Sequence, residues 1–288
     1  MKTIKYFFQF IVIILLFFIF KLLGYQKSSN FGSWIGKIFG KLIRSDKIIL
    51  KNISYIEENT KKKFINKDII VKNLYSNYGR ILSDYIYLKK FRSGSLKNYV
   101  KVDGQEVLEE IKIKKKPVVF VSGHFNNFEL MAMFIESSGI NLAAIYRPLN
   151  NIFLNKIMEN IRIKYICKNQ IKKGKTGTRE LLNALKKNYS IALMIDQRVS
   201  EGIKSSFFGK KAFTTTIPAQ IVKKFNCEIV PVYIQRYEKF KFKISVERPI
   251  KFDQYSDQEI ITEELNKVLE KMVLNDPSQW ILTHNRWK

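Results

Sequence analysis

Four short apolar runs, at 117–121, 142–146, 191–195 and 229–234, limit how this chain can fold, because each has the length of a buried strand and is bounded by polar residues or turn signals. Residues at helical spacing separate them, at 126–138, 152–163, 179–187 and 218–225. Strand and helix in alternation predict an α/β fold, with a central, largely parallel sheet flanked by helices. In such sheets ligands bind beyond the carboxyl ends of the strands. The residues with chemistry to offer fall there: His124 after the first run, Tyr146-Arg147-Pro148 after the second and Asp196-Gln197-Arg198 after the third.

Ahead of this core, Lys2 and Lys5 introduce an apolar stretch from Tyr6 to Phe20, then Lys21 and Leu22-Leu23-Gly24-Tyr25. A helix needs about 20 apolar residues to cross a bilayer, which this one reaches if Lys21 snorkels to the headgroups. No small-residue cleavage site follows, so residues 1–25 are expected to stay as a membrane anchor that spans or embeds. Lys27, Lys37, Lys41, Arg44 and Lys47 outnumber the two lysines before the stretch, which places the body on the cytoplasmic side. Residues 26–115 are expected to be mainly helical, and 116–288 to form the α/β core. The segment around Trp34, Gly36 and Gly40 fits an amphipathic helix lying along the membrane as well as an ordinary core-facing one.

The chain carries 51 Lys+Arg against 25 Asp+Glu, a net +26 that draws polyanions: nucleic acid, anionic membrane, phosphorylated lipid or an acidic carrier protein. No helix-turn-helix, RNA-recognition or zinc-finger pattern supports specific nucleic-acid reading. A membrane-tethered polyanion binder is therefore the competing class. Cys167 and Cys227 form no CxxC pair, and His124 and His284 are the only histidines, so neither a disulfide framework nor a metal site is expected. Gly174-Lys175-Thr176 has the end of a phosphate loop, but Asn169 stands where its first glycine is required.

The constellation that carries chemistry is His124-Phe125-Asn126-Asn127-Phe128-Glu129. A histidine in the entry turn of a helix can fold back over the first turn and meet an acid five residues on. A carboxylate on one ring nitrogen fixes the tautomer and leaves the other as a general base. The alternative is that His124 caps its helix and Glu129 is a first-turn acid favoured by the helix dipole.

Together with that motif, Tyr146-Arg147-Pro148-Leu149-Asn150-Asn151, Asp196-Gln197, Phe207-Phe208-Gly209, Ala212 with Thr214-Thr215, Pro218-Ala219, Pro231-Val232 and the segment from Trp280 to Lys288 run in order along nearly the whole chain. In this ordered set the sequence resembles the lipid A late acyltransferases, the lauroyl and myristoyl transferases of the lysophospholipid acyltransferase superfamily. The resemblance implies an acyltransferase domain over 26–288. It implies transfer from an acyl carrier protein thioester to a hydroxyl of a phosphorylated glycolipid, a lipid A precursor, at the bacterial inner membrane, with no cofactor. His124 matches the family's base and Glu129 its acidic partner; Arg162 and Asp196 match further positions needed for activity. Arg198 stands where many members have a second Asp, and Ile217 replaces a frequent Gly. A mannolipid acyltransferase of the same superfamily, or one acting on another phospholipid, is the nearer competitor.

Direct transfer is expected, since no G-x-S-x-G elbow is present and Cys167 has no histidine close in sequence. Arg147 and Arg162 suit either an oxyanion or a phosphate. Asp196 at a strand end suits orienting an Arg or capping a turn. Phe207-Phe208 fits an acyl channel or a core, and His284-Asn285-Arg286 a structural or headgroup-facing role.

Overall fold

The structure, a computed structural model, describes residues 2–288. Two helices open the chain, α1 (Lys2–Leu23) and α2 (Tyr25–Ile43), broken at Gly24, whose φ of 74° carries no steric cost in a residue without Cβ. α3 (Asp46–Glu58) and α4 (Lys67–Asp84) follow, capped by Ser45 and Asn66, whose side chains accept from the Lys47 and Ile69 amides. A short α5 (Leu88–Arg92) leads to β1 (Val100–Asp103) and α6 (Gln105–Lys114).

The alternating core comes next: β2 (Val119–Ser122), α7 (Glu129–Ser137), β3 (Leu142–Tyr146), α8 (Ile152–Ile161), β4 (Asn169–Lys172), α9 (Lys175–Lys186) and β5 (Ser190–Met194). A hairpin of β6 (Ile203–Phe207) and β7 (Lys210–Thr214) stands outside the main sheet. α10 (Ile217–Phe225), β8 (Ile229–Tyr237), β9 (Lys241–Val246) and α11 (Gln258–Asn275) complete the fold. The seven-stranded sheet runs β1-β9-β8-β2-β5-β3-β4, with every neighbouring pair parallel except β8 and β9. The four apolar runs of the sequence thus form β2, β3, β5 and β8, which sit together away from the sheet edges. The α/β fold with a central sheet is as expected.

Some boundaries differ. β1 lies in the stretch expected to be mainly helical and joins the sheet edge beside β9. The helix expected from Asn126 starts only at Glu129, because Asn126 takes a left-handed φ of 39°. α8 runs on as a π-helical turn, Arg162–Ile166.

α1 does not stand apart from the body. Phe20 is fully buried, and its carbonyl accepts from the Ser28 and Tyr87 hydroxyls. Nearer its start, Phe7 and Phe10 meet Phe153 of α8 with ring centroids 5.7 and 5.9 Å apart, and the Asn151 amide donates to the Tyr6 carbonyl at 2.8 Å. The opposite face, with Phe8, Val12, Leu15, Phe18 and Leu22, is exposed. Among the described residues, α1 is the one helix long and apolar enough to cross a membrane.

Candidate active site

Strands β2 and β5 lie side by side and parallel, with Ser122 opposite Met194. Residues two places beyond each strand end therefore arrive together, and these are His124 and Asp196. The Asp196 Oδ1 lies 2.7 Å from His124 Nδ1, while Oδ2 accepts from the His124 amide at 2.7 Å and from Trp280 Nε1 at 2.9 Å. Gly123 permits this approach: a Cβ there would sit 3.2 Å from the Asp196 carboxyl carbon and 2.8 Å from the Phe125 ring. The other ring nitrogen, Nε2, makes no hydrogen bond among the described residues, and the side chain keeps 21% of its surface exposed. Phe128 packs edge-on to the imidazole at 4.9 Å.

Burial works against a charged His124, but the attraction and hydrogen bond of Asp196, helped by the charge of Glu129, outweigh it and raise the imidazole pKa. Burial likewise disfavours the Asp196 carboxylate, and the hydrogen bonds and charge of His124, with the bond from Trp280, overcome it and hold the carboxyl below its ordinary range.

Glu129 does not sit on the imidazole; that place belongs to Asp196. As the first residue of α7, Glu129 instead meets the turn that follows α8. Its Oε1 accepts from Arg162 Nε at 2.8 Å, from Arg162 Nη2 at 2.6 Å and from the Tyr85 hydroxyl at 3.1 Å. The reason lies in residues 125–128, which form an ordered loop and do not continue the helix backwards. Asn126 donates its amide to the Gln279 carbonyl at 2.8 Å and accepts from Arg236 Nε at 3.0 Å. Asn127 donates to Asp84 at 3.2 Å, and Asp84 forms a buried ion pair with Arg236. Such a pair is expensive to bury and costly to break once buried.

Arg162 is itself buried, with Nη1 left unpartnered among the described residues. Arg147, by contrast, is exposed and forms no ion pair among the described residues. The geometry thus gathers His124 with Asp196 and Glu129 with Arg162, and leaves Arg147 at the surface. Asp84, Tyr85 and Arg236 escaped the sequence reading. An Arg near the end of the apolar β8 was a readable signal; Asp84 and Tyr85, deep in a helical region far upstream, offered none.

The chain end closes the site from behind. His284 Nε2 accepts from the Arg198 amide at 3.0 Å, and burial holds its pKa below the ordinary histidine range. Arg286, fully buried, donates to the Phe213 carbonyl and to Thr214 Oγ1, each at 2.6 Å, and burial lowers its pKa to about 10. Phe207 and Phe208 are buried, Phe207 stacked on Trp287 and edge-on to Trp280 and Phe208 tilted against Trp287, and so they form core, not channel. A cleft of about 710 Å³ between α11 and the β8–β9 pair is lined by Tyr233, Gln235, Lys243 and Lys271, and holds none of the residues gathered around His124.

A family model described as bacterial lipid A biosynthesis acyltransferase matches residues 1–288. The chain belongs to that family. This acyltransferase is 23% identical over 257 residues to lipid A biosynthesis acyltransferase 2 of Shigella flexneri, spanning 88% of the chain and 80% of the relative. It is 23% identical over 275 residues to the lipid A biosynthesis lauroyltransferase of Escherichia coli K12, spanning 92% and 87%. To the lipid A biosynthesis palmitoleoyltransferase of the same organism it is 24% identical over 202 residues, spanning 67% and 63%. Arg198 and Ile217, where the sequence departs from the family pattern, are also placed. Arg198 stacks on Phe213 at 5.3 Å and bonds the Lys288 carbonyl at 3.1 Å, while Ile217 opens α10.

Proposed function

We propose that this acyltransferase moves a fatty-acyl chain from an acyl carrier protein thioester to a hydroxyl of a phosphorylated glycolipid, a lipid A precursor, with its body on the cytoplasmic face of the bacterial inner membrane and His124 as general base. The observation that carries the mechanism is the bond between His124 Nδ1 and Asp196 at 2.7 Å with Nε2 left open. That arrangement fixes the tautomer in which Nε2 accepts a proton.

The acceptor hydroxyl gives its proton to Nε2 as its oxygen attacks the thioester carbonyl carbon. A tetrahedral oxyanion forms, then collapses; the C–S bond breaks and the carrier thiolate leaves, taking the proton back from the imidazolium. Asp196 acts through His124 as a positioning residue. Glu129 does the same for Arg162: two bonds onto one carboxylate oxygen lock the guanidinium, which suits a fixed positive charge facing a developing oxyanion. Arg147, exposed and without an ion pair among the described residues, suits a phosphate that arrives and leaves. Burial pushes the Cys167 thiol up to about 12, so it is not the thiolate that an acyl-enzyme would need.

The test is mass spectrometry of products formed from acyl carrier protein thioesters with a panel of lipid acceptors, run on wild type, His124→Ala and Glu129→Gln. Acyl transfer to the phosphorylated glycolipid is expected in wild type, with His124→Ala lowering it by about 100- to 10,000-fold and an unchanged circular dichroism spectrum. Glu129→Gln is expected to lower it as well. Near-wild-type turnover in folded His124→Ala would end the base assignment, and acylation of other acceptors only would end the substrate assignment.

A further inference from the structure

α2 packs against α4 through small residues, so which of its faces looks outward is fixed. A Cβ at Gly36 would lie 2.0 Å from the Tyr75 carbonyl oxygen, one at Gly32 2.3 Å from that of Gly79, and one at Gly79 1.8 Å from that of Gly32. Ser33 and Ser76 bond across the same seam at 2.6 Å. Rotation of α2 would break this contact, because no larger side chain fits between the backbones.

The face that the seam leaves outward is apolar. Trp34, Ile38, Phe39, Leu42 and Ile43 recur at helical spacing, and Leu42 and Ile43 keep 81% and 77% of their surface exposed. Five large apolar side chains on one helix face call for a partner. What covers them follows from their neighbours. The Phe20 ring at the end of α1 meets Phe31 at 6.1 Å, and Phe31 stacks on Trp34 at 5.7 Å with planes 14° apart, so an aromatic run joins α1 to this face. Lys37 and Lys41 are exposed along its flank, Lys41 also reaching Asp46 at 3.2 Å. A Trp-bearing apolar face flanked by lysines and continuous with a long apolar helix matches the chemistry of the bilayer interface, where aromatic rings sit at headgroup depth and lysines meet lipid phosphates.

We propose that α2 lies in the headgroup layer of an anionic leaflet, parallel to its surface, with Trp34, Ile38, Phe39 and Leu42 among the upper acyl chains and Lys37 and Lys41 at the phosphates. This rests on reading α1 as embedded in the membrane, and not on the reaction assigned above. α2 does not cross, because α4 occupies its glycine face and would have to enter the bilayer with it. The consequence for the enzyme is that its body is seated on the leaflet and not suspended from a tether. α8 meets α1 on the same body and leads into the turn that carries Arg162.

Trp34 is a built-in reporter: it is 54% exposed, whereas Trp280 and Trp287 are 1% and 8% exposed. The full chain is reconstituted into nanodiscs of phosphatidylglycerol and phosphatidylcholine carrying bromine at defined acyl depths, and the fluorescence of the Trp34→Phe protein is subtracted. The Trp34 signal is expected to be quenched most by bromines on the upper chain and shielded from iodide. Changing Lys37→Glu with Lys41→Glu should restore iodide quenching in the anionic discs. Three results would overturn the proposal: iodide quenching without bromine quenching, strongest quenching by bromines at the chain ends, or shielding that follows cross-linked dimers and ignores lipid. Loss of acyl transfer in a protein whose Trp34 is quenched as expected would instead count against the reaction assigned above and leave this surface standing.

Discussion

Asp196 has no exposed surface, yet three donors converge on it, so it stays ionised where burial alone would neutralise it. Its charge is what raises the His124 pKa. A base must be unprotonated to act, so the acid limb of kcat/KM is expected above the ordinary histidine value of about 6.5. In Asp196→Asn the attraction goes and burial remains, which lowers the imidazole pKa. The acid limb should then move to lower pH while the plateau rate falls, because the tautomer is no longer held. A pH profile of the variant measures both; a limb that stays in place would remove Asp196 from the titration of His124. Legibility at this scale was partial. His124 and Asp196 were both visible as residues just past apolar strands. Their meeting was not, because β2 and β5 become neighbours only after the chain has passed through β3 and β4. Glu129 was visible too, but its partner is set by Asn126, whose left-handed backbone delays the start of α7.

Among the elements, α1 and α2 combine two kinds of contact. At the glycine seam, Gly36→Ala would force a methyl group against the Tyr75 carbonyl and push α2 from α4, costing about 1–3 kcal/mol by overpacking. At the end of α1, Phe20→Ala would empty a fully buried site and cost about 3–5 kcal/mol. Thermal unfolding in detergent should register both as lower midpoints; a Phe20→Ala protein as stable as wild type would show α1 to be a detachable anchor after all. The strands that the sequence revealed were those with unbroken apolar runs, and β3 was found to the residue. β4 and β1 were missed because they lie at the two sheet edges, where polar residues such as Asn169, Gln170 and Lys101 are tolerated. α11 was missed for a weaker reason, since Ile261, Leu265, Leu269 and Met272 carry a legible helical period.

For the whole molecule the excess of 26 positive charges is the dominant long-range property. Affinity for an acidic carrier protein should fall as ionic strength rises, while the rate at saturating donor changes little, since exposed charges are screened and buried ones much less. Titrating carrier thioester at increasing salt tests this, and a KM that ignores salt would take electrostatic capture out of the account. The closure of the site by the chain end has a different kind of consequence, one of timing. Trp280 bonds Asp196, Gln279 holds Asn126, and Phe125 bridges Trp280. β8, which flanks β2, is itself made late. During synthesis the N-terminal helices leave the ribosome first and can reach the membrane while the His124 loop still lacks its supports. The apolar helices are therefore made before the segment that braces His124, and the site takes its geometry only once Gln279 and Trp280 are in place.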